Sequence, residues 1–241
     1  MPARSTHRTK PRKNVPVHRR SPHPGATAWG DDGRNPNVSY GDYQFTRTGA
    51  TVPFKGTLTL DWLTFETVDP DVLAISRGTV ELEWWNGAER LKHRPTYTVA
   101  RRGRAKGETL FTHVEVIGQR AFDRPEVRSK FARLQADARR RLLDFRVRTQ
   151  VDLVQPRFDN AKLVERHAGA GQIPAADGEA LSAFSRSRST FTLEQVVEAT
   201  VLDYPRAYAA VLNRVASGRL TIDLGTPFGR RSQIGRTQAD A

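Results

Sequence analysis

The stretch Asp61-Trp-Leu-Thr-Phe-Glu-Thr-Val-Asp69-Pro70-Asp71-Val72 decides how the N-terminal half of this chain is read. Leu58, Trp62 and Phe65 recur at i, i+4 and i+7, with Leu63 beside them, which lays apolar groups along one helical face. The spacing predicts a helix from Gly56 to Val68. Asp69-Pro70 ends it, because the proline ring pushes the residue before it out of helical geometry. Beyond Pro70 the residue types favour β structure, with strands predicted over 72–75 and 79–85. Asn86-Gly87 signals a tight hairpin, since both residues tolerate positive φ, and 89–99 is the returning segment. Leu110 to Ile117 alternates as a further strand. The link before it is basic: Arg101, Arg102, Arg104 and Lys106, with Gly103 and Gly107 among them.

Working outward, Pro125 opens a second predicted helix, with Asp123 or Arg124 just outside it. Val127, Phe131, Leu134, Ala138 and Leu142 form its apolar stripe, and Arg128, Lys130, Arg133, Arg139, Arg140 and Arg141 occupy the other faces. Phe145 to Thr149 reads as a strand. Helix, hairpin, strand, helix, strand describes an α/β domain over 41–155. Past Pro156 the chain turns helical, with candidates over 160–167 and 177–185. Thr192-Leu-Glu-Gln195 has the capping-box spacing that opens a helix. Another helix starts at Pro205 and stops at Gly218, and 219–224 reads as a strand. Over 156–228 this order fits either a winged helix or three helices packed as a spacer.

The chain has 241 residues, with 39 Lys+Arg against 26 Asp+Glu, a formal net charge of +13. That balance favours an anionic partner. The 37% apolar content suffices for a core. No apolar run reaches the ~20 residues of a membrane helix, and no signal-peptide pattern is seen, so a cytoplasmic protein off the membrane is expected. The absence of cysteine excludes disulfides, thiol catalysis and cysteine-held zinc. The six histidines have no metal-ligand spacing, and no glycine loop of a phosphate-cradling type occurs. Residues 1–40 read as a disordered basic arm and loop in which Arg12, Lys13, Arg19 and Arg20 can track phosphate or serve as a solvated tail. Residues 229–241 read as a disordered tail.

The ordered series of segments resembles the TnsA-type transposon endonucleases. The opening stretch is similar to that family's helix end, of the type DYLxLLEFDPDV. Further on, Arg94-Pro95-Thr96-Tyr97 stands where the family has a PDF-like turn, and His113-Val-Glu115-Val116-Ile117 where it has a strand ending in EVK. Pro125 to Arg140, Phe145 to Leu153 and Ala216 to Leu224 continue the series, so the resemblance covers about 45–225. It implies a restriction-endonuclease-like mixed sheet flanked by helices, and a site in which a helix Glu, the turn Asp and the strand acid gather Mg²⁺ while the strand Lys serves the attacking water. Carboxylate oxygens suit a hard divalent cation, which stabilises charge developing on the scissile phosphate.

Carried over position by position, that cluster is missing. The turn Asp is Thr96, the strand Lys is Ile117, and the helix positions are Thr59 and Lys55; Glu115 alone keeps its carboxylate. The chain therefore reads as a pseudonuclease: a non-catalytic component of a TnsA-like assembly that binds double-stranded DNA and docks a transposase, with no cofactor expected. Arg101, Arg102, Arg104 and Lys106 are its candidate phosphate contacts. One alternative is a metal-dependent endonuclease, using Mg²⁺ at a site rebuilt from Glu115 and Asp61 or Glu66, with Lys92 and His93 near Thr96. Another is a protein-interaction scaffold that presents Trp84 or Trp85, whose side chains face opposite ways on one strand.

Overall fold

In the computed structural model, residues 38–169 and 173–237 are described. The basic arm, with Arg12, Lys13, Arg19 and Arg20, lies outside these residues. The described part opens with a hairpin, β1 (Tyr40–Phe45) and β2 (Ala50–Lys55), paired antiparallel with Tyr43 opposite Val52. Tyr43, Phe45 and Val52 are buried on one face, as the two-residue alternation of a strand requires. By sequence this region reads as loop up to about Gly41, with no strand after it.

Helix α1 (Thr57–Thr67) follows, within a residue of its predicted limits. It is buried nearly all round. Trp62 and Leu63 are sealed in the core, and Thr59, Thr64, Glu66 and Thr67 are buried as well. The cause is that α1 packs on both the main sheet and α4 (Arg157–Arg166). Phe65 thus meets Phe158 of α4, ring centroids 6.5 Å apart.

The main sheet has four strands in the order β3 (Val72–Arg77), β6 (Tyr97–Arg102), β7 (Thr109–Val116), β8 (Asp144–Arg148). The first three run antiparallel in turn, and β8 is parallel to β7, reached through α2 (Gln119–Phe122) and α3 (Pro125–Arg140). A parallel neighbour needs such a crossover. Strands β4 (Leu82–Trp85) and β5 (Arg90–His93) form a separate ribbon. Asn86-Gly87 does open its turn, but the loop has four residues, braced by Asn86 Oδ1 accepting from the backbone of Ala88 and Glu89, both at 2.9 Å. The single returning segment expected over 89–99 is split at Pro95, so β6 leaves the ribbon and joins the main sheet. Gly78 makes this crossing possible: a side chain there would come within 1.9 Å of the Pro95 carbonyl.

On one face of the sheet, Trp62, Leu63, Tyr97, Val99 and Val114 pack together, with Trp62 stacked on Tyr97 at 5.3 Å. On the other, Phe131, Leu134 and Ala138 of α3 meet Leu82 and Phe145. The helix ends before the last residue of its predicted stripe. Leu142 has φ +54 and is 94% exposed, because the chain turns through a left-handed residue there and Leu143 N bonds back to Ala138 O at 2.9 Å.

The C-terminal part comprises α4, α5 (Ala175–Ser185), β9 (Thr190–Thr192), α6 (Leu193–Ala199), α7 (Tyr204–Ala216), β10 (Leu220–Ile222) and β11 (Gln233–Arg236). The capping box forms as read: Gln195 N donates to Thr192 Oγ1 at 3.2 Å, and Thr192 N to Gln195 Oε1 at 2.9 Å. Helix α7 ends at Gly218, whose φ of +74 suits a residue without Cβ. The small sheet runs β10-β11-β9, antiparallel throughout, so part of the segment read as a disordered tail is instead its middle strand. Val68, just past α1, belongs to the C-terminal hydrophobic cluster. No helix among the described residues is long and apolar enough to cross a membrane.

Candidate functional site: a closed carboxylate site and a basic surface

Thr96 lies just before β6 and Glu115 near the end of β7. The antiparallel register, with Tyr97 opposite Val114, sets them side by side. Glu115 Oε2 accepts from Thr96 N at 3.1 Å and from Thr96 Oγ1 at 3.0 Å, and His93 Nε2 lies 3.2 Å from the same oxygen. Thr96 Oγ1 in turn accepts from Val116 N at 3.3 Å. His93 is held edge-on between Trp84 and Phe131, at 6.5 and 5.8 Å. The positions the resemblance assigns to metal ligands are thus adjacent, but one is a hydroxyl that spends its proton on the other.

Ile117 packs against the α3-side cluster, its backbone N–H donating to Arg148 O at 2.9 Å. Thr59 turns its hydroxyl onto Lys55 O at 2.8 Å, and the Lys55 ammonium sits over the Tyr40 ring at 5.5 Å. Among the described residues, no three His, Asp or Glu side chains gather where they could hold a metal ion.

Asp61 and Glu66 do not complete a site with Glu115. Glu66 is buried against Arg101, whose second nitrogen reaches Asp69 Oδ2 at 3.0 Å. Arg101 stands opposite Leu110, five residues before Glu115, so the pleat puts Glu66's partner and Glu115 on opposite faces of the sheet. Burial pushes the Glu66 carboxyl up, against the opposing pull of Arg101. Asp61 is half-buried and also pushed up by burial, with Lys162 of α4 pulling it back. Neither is an ordinary solvated surface charge.

The network around Asp69 has no counterpart in the sequence reading. Asp69 Oδ2 also takes Arg157 at 3.2 Å, while Arg47 donates to Asp69 O at 2.6 Å and Val72 O at 3.2 Å. It ties the end of α1 to β6, to the β1–β2 turn and to α4. The signal available was the run of acids at Glu66, Asp69 and Asp71 in an otherwise apolar stretch.

The basic link becomes a six-residue loop between Arg102 and Thr109, closed by Gly103 N to Glu108 O at 2.9 Å and by Ala105 N to Glu108 Oε2 at 3.0 Å. Arg102, Arg104 and Lys106 are exposed on it. Arg101 is turned inward to Glu66 and Asp69, which removes it from the phosphate set. On α3, most cations serve the fold: Arg128 meets Asp123 at 2.7 Å, Lys130 lies over Trp84 at 4.9 Å, Arg133 bonds Trp85 O, and Arg140 and Arg141 share Asp137. Of the two tryptophans, Trp84 is half-buried and Trp85 is 60% exposed.

Helix α7 offers little to a groove. Asn213 Nδ2 donates to His167 O at 2.8 Å, Tyr208 meets His167 and Phe228 at 6.0 and 5.2 Å, and Arg206 grips Asp177 of α5 at 2.5 and 3.0 Å. The β10–β11 loop carries Arg230 and Arg231; Arg230 lies over Tyr204 at 5.0 Å and Arg231 is exposed. No family model matches this chain, and no curated protein does.

Proposed function

We propose that the protein is a non-catalytic component of a TnsA-like transposition assembly, binding double-stranded DNA and docking a partner such as the transposase. The observation that carries the reading is the Thr96–Glu115 pair. The sequence resemblance puts a metal cluster at these two positions, and a hydroxyl-to-carboxylate bond fills the place of two carboxylates. The order of elements supports it: α1, β6 after the Pro95-Thr96 turn, β7 with Glu115 near its end, α3 and β8 follow the family's series of segments, in a mixed sheet flanked by helices. On this reading the N-terminal part has a restriction-endonuclease-like fold, and helix, turn, helix and short hairpin in the C-terminal part make a winged helix.

The exposed Arg102, Arg104 and Lys106 supply phosphate contacts, with the basic arm adding to them. The test is gel-shift and plasmid cleavage on one preparation, in EDTA, Mg²⁺ and Mn²⁺, across a salt series. The expected result is a shift whose affinity falls with salt at a slope of about −0.9 per phosphate neutralised, with no nicking. Absent or salt-insensitive binding sinks the reading. Metal-dependent nicking that Glu115→Ala abolishes replaces it with an endonuclease.

A further inference from the structure

Large apolar side chains stand exposed together at one end of the main sheet: Leu73 of β3, and Leu110 and Phe111 of β7. The register explains why Phe111 is left bare. Ala74 stands opposite Ala100, and Ala100 opposite Phe111, so one row across β3, β6 and β7 reads Ala, Ala, Phe. Two methyl groups give the ring no side wall. Phe111 is 57% exposed and belongs to none of the hydrophobic clusters of the described residues. Glu115 shares this face of the sheet. Its end is covered by α3 and the β4–β5 ribbon, where His93 meets Phe131, while Ala74, Thr109 and Phe111 at the other end stay open.

The neighbouring row pairs Arg102 with Thr109, and side chains return to one face every second residue, so Arg102 is on the face that carries Phe111. Arg104 and Lys106 follow, exposed on the β6–β7 loop, and none of these three cations is paired with a carboxylate among the described residues. The acid of the loop, Glu108, is turned to the backbone N–H of Ala105 at 3.0 Å. Trp85 is the contrast. It is as exposed as Phe111, but it stands opposite Arg90, which is bridged to Glu83, and Lys92 beyond is bridged to Glu81 at 2.7 Å. An aromatic ring among neutralised charges does not select an anion; one beside unpaired cations does.

A partner that suits both halves of this patch carries negative charge next to a flat apolar face. A nucleotide does, its phosphate taking a guanidinium fork and its base stacking on the ring. Bases inside a duplex are stacked on one another and show a protein only their edges. The geometry points to a stacking site for an unpaired base on Phe111, with Arg102 on the phosphate beside it, so that this surface takes a duplex bearing a single-stranded tail or a frayed end. The inference rests on the reading of the β6–β7 loop as a nucleic-acid contact and names the kind of nucleic acid.

The experiment is gel-shift of the full chain on a blunt duplex, the same duplex with a short thymidine tail, and the same duplex with an abasic tail of equal length. The two tails carry the same phosphates, so the difference between them reads the base alone. The parent chain is expected to prefer the thymidine tail to the abasic one by about five- to a hundredfold, the range for one base stacked on an aromatic side chain. Phe111→Ala should bind both tails equally, Phe111→Tyr should keep the preference, and Phe111→Leu should lose most of it. Circular dichroism checks that these variants of an exposed residue fold. No preference in the parent, or one that Phe111→Ala or Phe111→Leu keeps in full, overturns the site; salt-sensitive binding of the blunt duplex in the same assay then leaves the DNA-binding reading standing. A preference that needs the Phe111 ring, with no binding of the blunt duplex, does the reverse: the stacking site stands and the duplex reading falls.

Discussion

The hydroxyl of Thr96 donates to the carboxylate of Glu115 at 3.0 Å, and the backbone N–H of the same threonine reaches the same oxygen at 3.1 Å. A carboxylate oxygen gripped by N–H and O–H donors offers a cation little, since each donor presents a partial positive charge along a lone-pair direction. The threonine therefore closes the site as well as leaving it short of one negative charge.

Thr96→Asp reverses both effects. It sets a second carboxylate beside Glu115, and like charges at that separation cannot both ionise without loss. The variant is expected to lose about 1–3 kcal/mol in EDTA and to recover much of it in Mn²⁺. Thermal unfolding in the two buffers checks this, and identical midpoints would show that no cation enters.

Glu115→Ala acts differently. It leaves the Thr96 N–H and hydroxyl and the His93 ring without their common acceptor in a largely buried place. The expected cost is about 2–3 kcal/mol in urea unfolding, with duplex affinity unchanged. A large loss of DNA binding in a folded variant would mean that Glu115 has a role beyond holding β6 against β7.

Arg101→Ala strands Glu66, whose side chain is 6% exposed, and should cost about 3 kcal/mol at neutral pH. The cost depends on pH. Burial raises the Glu66 carboxyl, so the folded chain holds that proton more tightly than the unfolded one, and stability falls as pH rises from the ordinary glutamate value through the raised one. Arg101 restrains this shift. Without it the variant regains part of its loss in acid, so the gap to the parent chain is smaller at about pH 5 than at about pH 8. A gap that does not change between these pH values would mean that Glu66 is not the stranded group.

The β6–β7 loop gives a graded prediction. Replacing Arg102, Arg104 and Lys106 with alanine should flatten the salt dependence of duplex binding by about 0.9 for each phosphate no longer neutralised. Arg101→Ala, in whatever fraction stays folded, should leave that slope unchanged. Equal effects at all four positions would put Arg101 back among the residues that meet phosphate.

Leu142 marks a place where the fold is improvable. It holds a left-handed conformation, φ +54, at the end of α3 with its side chain in water. Leu142→Gly removes the Cβ conflict and should stabilise by about 1 kcal/mol in urea unfolding. A destabilised variant would mean that the exposed leucine has a packing partner.

What was legible in the sequence was local. The helix ending at Asp69-Pro70, the Pro125 start of α3 and the Thr192–Gln195 capping box all declare themselves within a few residues, because caps and breakers act over a turn. The facing of Thr96 and Glu115 was legible only through the resemblance, since it depends on register across nineteen residues. Arg101 looked like its neighbours Arg102 and Arg104, and only the pleat turns it inward to Glu66. The β1–β2 hairpin and β11 were missed because short strands take their stability from partners: β11 has Ile234 alone in the core and lies between β10 and β9, the second of them distant in sequence. Leu142 fits the apolar stripe by spacing, but the helix has ended before it.

The place of β11 also sets an order in time. A chain emerging N-terminus first has the last strand of its main sheet by Arg148, whereas its small sheet lacks its middle strand until Arg236 has been made. Until then β9 and β10 have nothing between them, their hydrogen-bonding edges are open, and the niche for Ile234 is unfilled. A chain cut short before Gln233 would leave β9 and β10 with unpaired edges, the kind of surface chaperones and proteases recognise. The pairing of the small sheet therefore rests on whether the four residues of β11 have arrived.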